Sequence, residues 1–219
     1  VTQGRSLLGC ITNGDIHLNK SGDTVCPECV KSGLENIQMF PLFFCRACGQ
    51  MFYGISYDAY SGRVVPREKD DGDWDGDAGY LVKEHVDINL IEFPVNWLKA
   101  NGELKNDKKV HMPLHKYYDY KNAILYDYEA NKDCIPVTII NFPFMICPSC
   151  STYYTYSSNE FSKLFNFSSA GRSTSTDIII SEIINNLPEE ERKVISFSDN
   201  RQDTALQAGH INNLYHRIL

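Results

Sequence analysis

Three Cys-x-x-Cys pairs constrain this chain more than any other feature: Cys26 with Cys29, Cys45 with Cys48, and Cys147 with Cys150. Two cysteines three positions apart place both sulfurs on one tight turn, where they supply half of a tetrahedral zinc shell. Each pair therefore needs a partner. Whatever lies between Cys48 and Cys147 has to leave a metal site and come back to it.

Two pairings satisfy that requirement. Cys26 and Cys29 precede Cys45 and Cys48 by fifteen residues, a spacing that fits one zinc ribbon and leaves the third pair alone. The other pairing joins Cys45 and Cys48 to Cys147 and Cys150 and gives Cys26 and Cys29 to Cys10. The stretch Cys10-Ile11-Thr12-Asn13-Gly14 has the form of a Cys-x-x-Cys-Gly knuckle whose second cysteine has become Asn13. Asparagine is a poor zinc ligand, so the fourth position falls to His17 or the site stays empty. The two-site arrangement is preferred because it uses all three pairs. Cys134 stands apart and reads as a buried free thiol. Closed shells of four protein ligands are structural, so the metal is expected to fasten the fold and to carry no catalysis.

The rest of the composition narrows the class. Eight cysteines in 219 residues, six of them in pairs, do not resemble a secreted disulfide framework. No basic region followed by an apolar run opens the chain, and no apolar run reaches membrane length. The expected setting is a reducing, intracellular compartment, the cytoplasm, with no membrane partner. A net charge of −7 excludes nucleic-acid binding by bulk electrostatics and leaves only a local contact. No Gly-x-x-x-x-Gly-Lys-Ser/Thr loop, no acidic magnesium motif and no Gly-x-Ser-x-Gly elbow occurs, so the chain alone is expected not to hydrolyse ATP.

Periodicity places the motifs. Residues 6–10 are a short apolar run ending in a cysteine, 15–19 alternate polar and apolar after a turn at Asn13-Gly14, and the apolar runs at 37–44 and 51–57 flank the Cys45 knuckle as strands. Residues 58–80 are turn-rich and acidic. Asp70 to Asp77 imitates a calcium loop, but Val82 falls where the bidentate glutamate belongs. Strands are expected at 86–91, 123–128 and 136–142, a short helical or turn segment at 93–98, and a short helix from Glu160. His85, His111, His115, His210 and His216 lack metal spacing, and Pro113 breaks any helix joining His111 to His115, so surface positions are expected. After a linker at 168–173, Thr174 and Asp177 form a capping box. Ile179, Ile180, Ile183, Ile184 and Leu187 line one helix face up to Pro188. The run 193–198 reads as a buried strand, with a second amphipathic helix after it.

The segment from Gly171 to His210, with Phe197-Ser198-Asp199-Asn200-Arg201-Gln202-Asp203, resembles large DEAD/DEAH-box helicases of superfamily 2 at the entry to their second RecA-like domain. Phe44-Cys45-Arg46-Ala47-Cys48-Gly49, followed by Phe52 and Tyr53, and the pair Cys147 and Cys150 are similar to a cysteine-rich insert between the two motor domains of such helicases. No resemblance covers residues 58–140.

The resemblance implies a piece of an ATP-dependent helicase or translocase, acting on nucleic acid, DNA rather than RNA, in phage defence or DNA repair. ATP and magnesium would belong to the parent protein, whose other RecA-like parts would be partners. Asp199, Asn200, Arg201 and Gln202 would lie on a loop facing nucleic acid or the motor cleft, where Arg201 would meet a phosphate.

The expected fold is α+β. Zinc-ribbon-like knuckles occupy 1–57, a β-leaning insert 58–145, a closing knuckle and linker 146–170, and the start of a RecA-like helix–strand–helix 171–219. The rival reading is a free-standing, non-enzymatic zinc module that recruits protein or nucleic acid.

Overall fold

Among the described residues, ten short strands are hydrogen-bonded in antiparallel fashion into one sheet. The computed structural model describes residues 6–19, 22–67 and 77–166. Backbone contacts divide the chain into two units, Val1–Asn166 and Phe167–Leu219, and every described residue belongs to the first. In chain order the strands are β1 (Leu8–Cys10), β2 (Leu18–Asn19), β3 (Met39–Cys45), β4 (Met51–Tyr57), β5 (Val64–Pro66), β6 (Asp77–Val82), β7 (Leu114–Asp119), β8 (Ile124–Tyr126), β9 (Cys134–Asn141) and β10 (Leu164–Phe165). Two single-turn helices, α1 (Pro27–Lys31) and α2 (Glu160–Lys163), complete the set with three 3₁₀ turns.

The central strands close into a barrel. β4 pairs with β6, β6 with β9, β9 with β7, and β7 with β8. β5 pairs with β4 on the edge opposite β6, and its approach meets β8 through an Arg63–Ile124 bridge. Val64 N donates to Ala123 O and Leu125 N to Gly62 O, both at 2.8 Å, which seals the seam. Closure removes the free edges that a sheet of such short strands would otherwise present.

Gly62 permits the seam: its φ is +72°, and a Cβ there would stand 2.4 Å from the Leu125 carbonyl oxygen. Beyond the barrel, β3 continues the sheet to β1 and β2, while β10 pairs with the far end of β3.

Alternation along the strands builds two cores. Tyr53 and Ile55 of β4, Leu81 of β6, and Ile135, Val137 and Ile139 of β9 are buried together inside the barrel. Phe40 packs edge-on against Tyr53 and Tyr118, with ring centroids 6.4 and 6.1 Å away. The residues between them on the same strands, Phe52, Tyr80 and Ile140, face outward and meet Phe43, Phe144 and Leu164 in a second cluster. A smaller third cluster gathers Ile91, Trp97, Met145 and Ile146.

The apolar runs at 37–44, 51–57, 123–128 and 136–142 form β3, β4, β8 and β9, and the molecule is β-rich as the pattern requires. Residues 86–91 do not form a strand. The Asp87 carboxylate accepts from Asn89 N at 3.0 Å and turns the chain into a 3₁₀ segment, Ile88–Leu90, which leaves Leu90 exposed. The 93–98 segment is a 3₁₀ turn, Val95–Trp97. The acidic stretch ends in β6, which Asp77 opens. Residues 68–76 and the helix–strand–helix expected over 171–219 lie outside the described residues. Among the described residues, no helix is long and apolar enough to cross a membrane.

Candidate metal centres

Two groups of four ligand atoms come together among the described residues. Cys10, His17, Cys26 and Cys29 form one, and Cys45, Cys48, Cys147 and Cys150 the other. Within each group all four atoms lie within 4.8 Å of one another.

The first centre is built by a hairpin and a helix start. β1 and β2 are antiparallel, and Cys10 N donates to His17 O at 3.2 Å, so the ladder sets the two side chains across from each other. β3 pairs with β1, and Cys26 N donates to Ile37 O at 2.8 Å, which delivers the next pair to the same place. Cys26 caps α1, with Pro27 in the first turn, and its sulfur accepts from Cys29 N. The turn at Asn13 is satisfied locally, since Gly14 N donates to Thr12 Oγ1, and Asn13 is exposed. His17 supplies the fourth ligand atom through Nδ1, at 3.6 Å from Cys10 Sγ, 3.5 Å from Cys26 Sγ and 3.3 Å from Cys29 Sγ. Cys10 and Cys29 sulfurs stand 3.8 Å apart.

The second centre is a clasp between two matching turns. In the first turn, Gly49 N donates to Cys45 O, Cys45 N donates to Gln50 O, and Gly49 has φ +77°. In the second, Ser151 N donates to Cys147 O, Cys147 N donates to Thr152 O, and Ser151 has φ +58°. The two turns thus share one hydrogen-bond pattern, with a left-handed residue one position past the second cysteine. Serine tolerates that conformation less readily than glycine. Its hydroxyl is put to use, accepting from Glu92 N at 2.9 Å. Cys48 and Cys147 sulfurs are 3.8 Å apart, and those of Cys45 and Cys150 are 4.0 Å apart.

These spacings are the edges of a tetrahedron. With Zn–S bonds of about 2.3 Å and Zn–N bonds of about 2.05 Å, tetrahedral geometry requires S···S of about 3.8 Å and N···S of about 3.6 Å. The donors are soft thiolates and one imidazole, a set suited to zinc. All eight cysteines are free thiols, and sulfurs 3.8 Å apart are far beyond the roughly 2.05 Å of a disulfide.

Burial opposes uncompensated thiolate charge in both places. Burial pushes the Cys10 and Cys29 thiols up, so neither ionises readily by itself. In the clasp, the hydrogen bond between Cys45 and Cys147 pulls Cys45 down and pushes Cys147 up, so the pair holds a proton between them. A bound divalent ion replaces such protons and ionises coordinating thiols outright.

Cys26 and Cys29 therefore share their group with Cys10 and His17, and Cys45 and Cys48 share theirs with Cys147 and Cys150. The single ribbon made from the two nearest pairs is not the arrangement of this fold, because β3 carries them to separate ends. Cys134 is buried outside both groups. Asp199, Asn200, Arg201 and Gln202 lie outside the described residues.

His111 departs from the surface position expected of it. It is buried against Trp97, with Nε2 bonded to Tyr156 Oη, and burial lowers its pKa. His85 and His115 are exposed and stack on each other at 4.5 Å.

Beside the clasp lies a charged cluster that no motif announced. Lys163 is 1% exposed and donates to Glu160 Oε1 at 2.6 Å, while Tyr80 Oη donates to Glu160 Oε2 at 2.8 Å. Its only sequence signal is the i, i+3 spacing of Glu160 and Lys163, which ordinarily marks a solvated helix face.

No family model matches the chain, and no curated protein or solved structure is measurably similar to it.

Proposed function

We propose that this chain is a zinc-stapled β-barrel module of an ATP-dependent nucleic-acid helicase, seated before the second motor domain. Two structural zinc ions fasten it. One holds the β1–β2 hairpin to α1. The other clasps the two ends of the long excursion between Cys48 and Cys147. The observation that carries the metal part is the second cluster, where residues far apart in sequence form a closed four-sulfur shell. Such a shell leaves no open coordination position, so the metal shapes the module and performs no chemistry.

The helicase part rests on the resemblance of residues 171–210 and of the Cys45 knuckle. On this reading the barrel guides a nucleic-acid strand or a partner protein while the motor domains supply force. DNA is the proposed substrate, and phage defence or repair the proposed setting. Asp199, Asn200, Arg201 and Gln202 then belong to the motor cleft or the strand path, and ATP and magnesium bind the parent protein only.

The reading frame on either side of these residues tests the proposal. A Gly-x-x-x-x-Gly-Lys-Ser/Thr strand upstream and a Gly-Arg-x-x-Arg motif downstream are expected, together with ATP hydrolysis by the parent and none by residues 1–219. ATP turnover by residues 1–219 alone overturns it. A second reading, a non-enzymatic zinc module that recruits protein or nucleic acid, is favoured by one observation: Val1–Asn166 forms a unit of its own. A parent frame lacking both motor motifs selects that reading.

A further inference from the structure

The two centres differ in how far solvent reaches their sulfurs. At the first, Cys10, Cys26 and Cys29 are all at most 1% exposed. At the second, Cys45 and Cys147 are equally buried, but Cys48 is exposed and Cys150 half-buried. Cys48 follows Arg46 and Ala47 in its turn, and among the described residues no side chain covers that turn, since both of those residues and Gly49 are exposed as well. A metal-bound thiolate keeps nucleophilic electron density, and accessible thiolates are the ones that oxidants reach. The sulfur of Cys147 stands 3.8 Å from that of Cys48, already placed to resolve an oxidised partner.

Resting on the zinc reading above, we infer that Cys48 is an oxidation site for peroxides, and that its oxidation opens the clasp while the first centre keeps its ion. The chemistry is a two-electron exchange. The Cys48 thiolate attacks one peroxide oxygen, an S–O bond forms as the O–O bond breaks, and the departing hydroxide takes a proton to become water. Cys147 thiolate then attacks the Cys48 sulfur. An S–S bond forms, the S–O bond breaks, and the second hydroxide also leaves as water. Hydrogen peroxide is reduced and two thiolates are oxidised to a disulfide. With two of its four ligands tied up in the disulfide, the site no longer holds the zinc ion.

The consequence reaches the neighbouring strand. Arg46 N donates to Lys163 O and Arg46 Nε to Phe161 O, while β10 pairs with β3 at Cys45. Opening the clasp loosens the turn that holds Leu164 and Phe165 in place.

The test treats the 219-residue chain, loaded with zinc, with hydrogen peroxide while a chromogenic chelator reads released zinc and peptide mapping locates disulfides. One of two zinc ions is expected to leave at least about tenfold faster than the other, in step with a Cys48–Cys147 disulfide. The variant Cys48→His keeps a fourth ligand, so it should still bind two ions and lose the fast phase. Release of both ions at one rate, a first disulfide involving Cys10, Cys26 or Cys29, or a fast phase that survives in Cys48→His overturns the inference. Fewer than two zinc ions before peroxide is added overturns the metal reading beneath it.

Discussion

Cys48 and Cys147 are 99 positions apart in the chain, yet their sulfurs lie 3.8 Å from each other. That contact closes the long excursion containing most of the barrel. A loop of this length is costly to close by chain entropy alone, and a metal held at its base only in the folded chain would add its binding free energy to folding.

Replacing Cys147 with serine should therefore remove one zinc ion of two and lower the melting temperature by about 10 °C or more. Metal analysis and thermal denaturation measure both. An unchanged melting temperature means that the clasp is not a fastener.

His17 makes a sharper case, because asparagine stands where the knuckle pattern asks for a second cysteine. His17→Ala should reduce the metal content from two ions to one, and His17→Cys should restore it as a four-sulfur site. Cobalt substitution distinguishes these by the stronger sulfur-to-metal absorption expected of the cysteine variant. Two ions in the alanine variant would remove His17 from the centre.

Asp119 predicts a pH dependence of stability. Its carboxylate is fully buried at the β7–β8 turn and accepts from Lys121 N, Asn122 N, Asn122 Nδ2 and Asn131 Nδ2. Burial alone would raise its pKa, but these hydrogen bonds outweigh burial and hold it below the ordinary value. A folded pKa below the unfolded one means stability that is present above the usual carboxylate range and lost as pH falls through the folded value. Asp119→Asn should cost about 1–3 kcal/mol at neutral pH, and the gap to the native chain should narrow below about pH 4. Urea unfolding at several pH values checks this, and a gap independent of pH rules the carboxylate's role out.

Lys163 predicts an asymmetry between single and double replacement. Lys163→Ala strands the Glu160 carboxylate beside Tyr80 and should cost about 3–5 kcal/mol. Lys163→Met combined with Glu160→Leu removes both charges and should recover a large part of that loss. A single replacement costing less than about 1 kcal/mol shows that solvent reaches the pair.

The cysteine pairs and Cys10, with His17 as one option for the fourth position, were legible as candidate ligands because metal chemistry imposes spacing on neighbours along the chain. So were β3, β4, β8 and β9, which lie within near-continuous apolar runs of strand length. Residues 86–91 misled because their alternation is real, but Asp87 captures the backbone locally and overrides it. His111 was misread for the opposite reason, because a polar residue carries no sign of burial until its partner, here Tyr156, arrives from elsewhere; the burial of Lys163 had no signal either.

The sequence by itself placed three pairs of candidate ligand sulfurs, because a Cys-x-x-Cys turn brings two sulfurs together through local geometry alone. It left open which pairs share an ion. Only the tertiary structure decided that, since β3 carries Cys45 away from Cys29, and the barrel's closure from β4 round to β9 returns Cys147 to Cys48. Pairing at long range is fixed by strand register and packing, and those are properties of the whole fold.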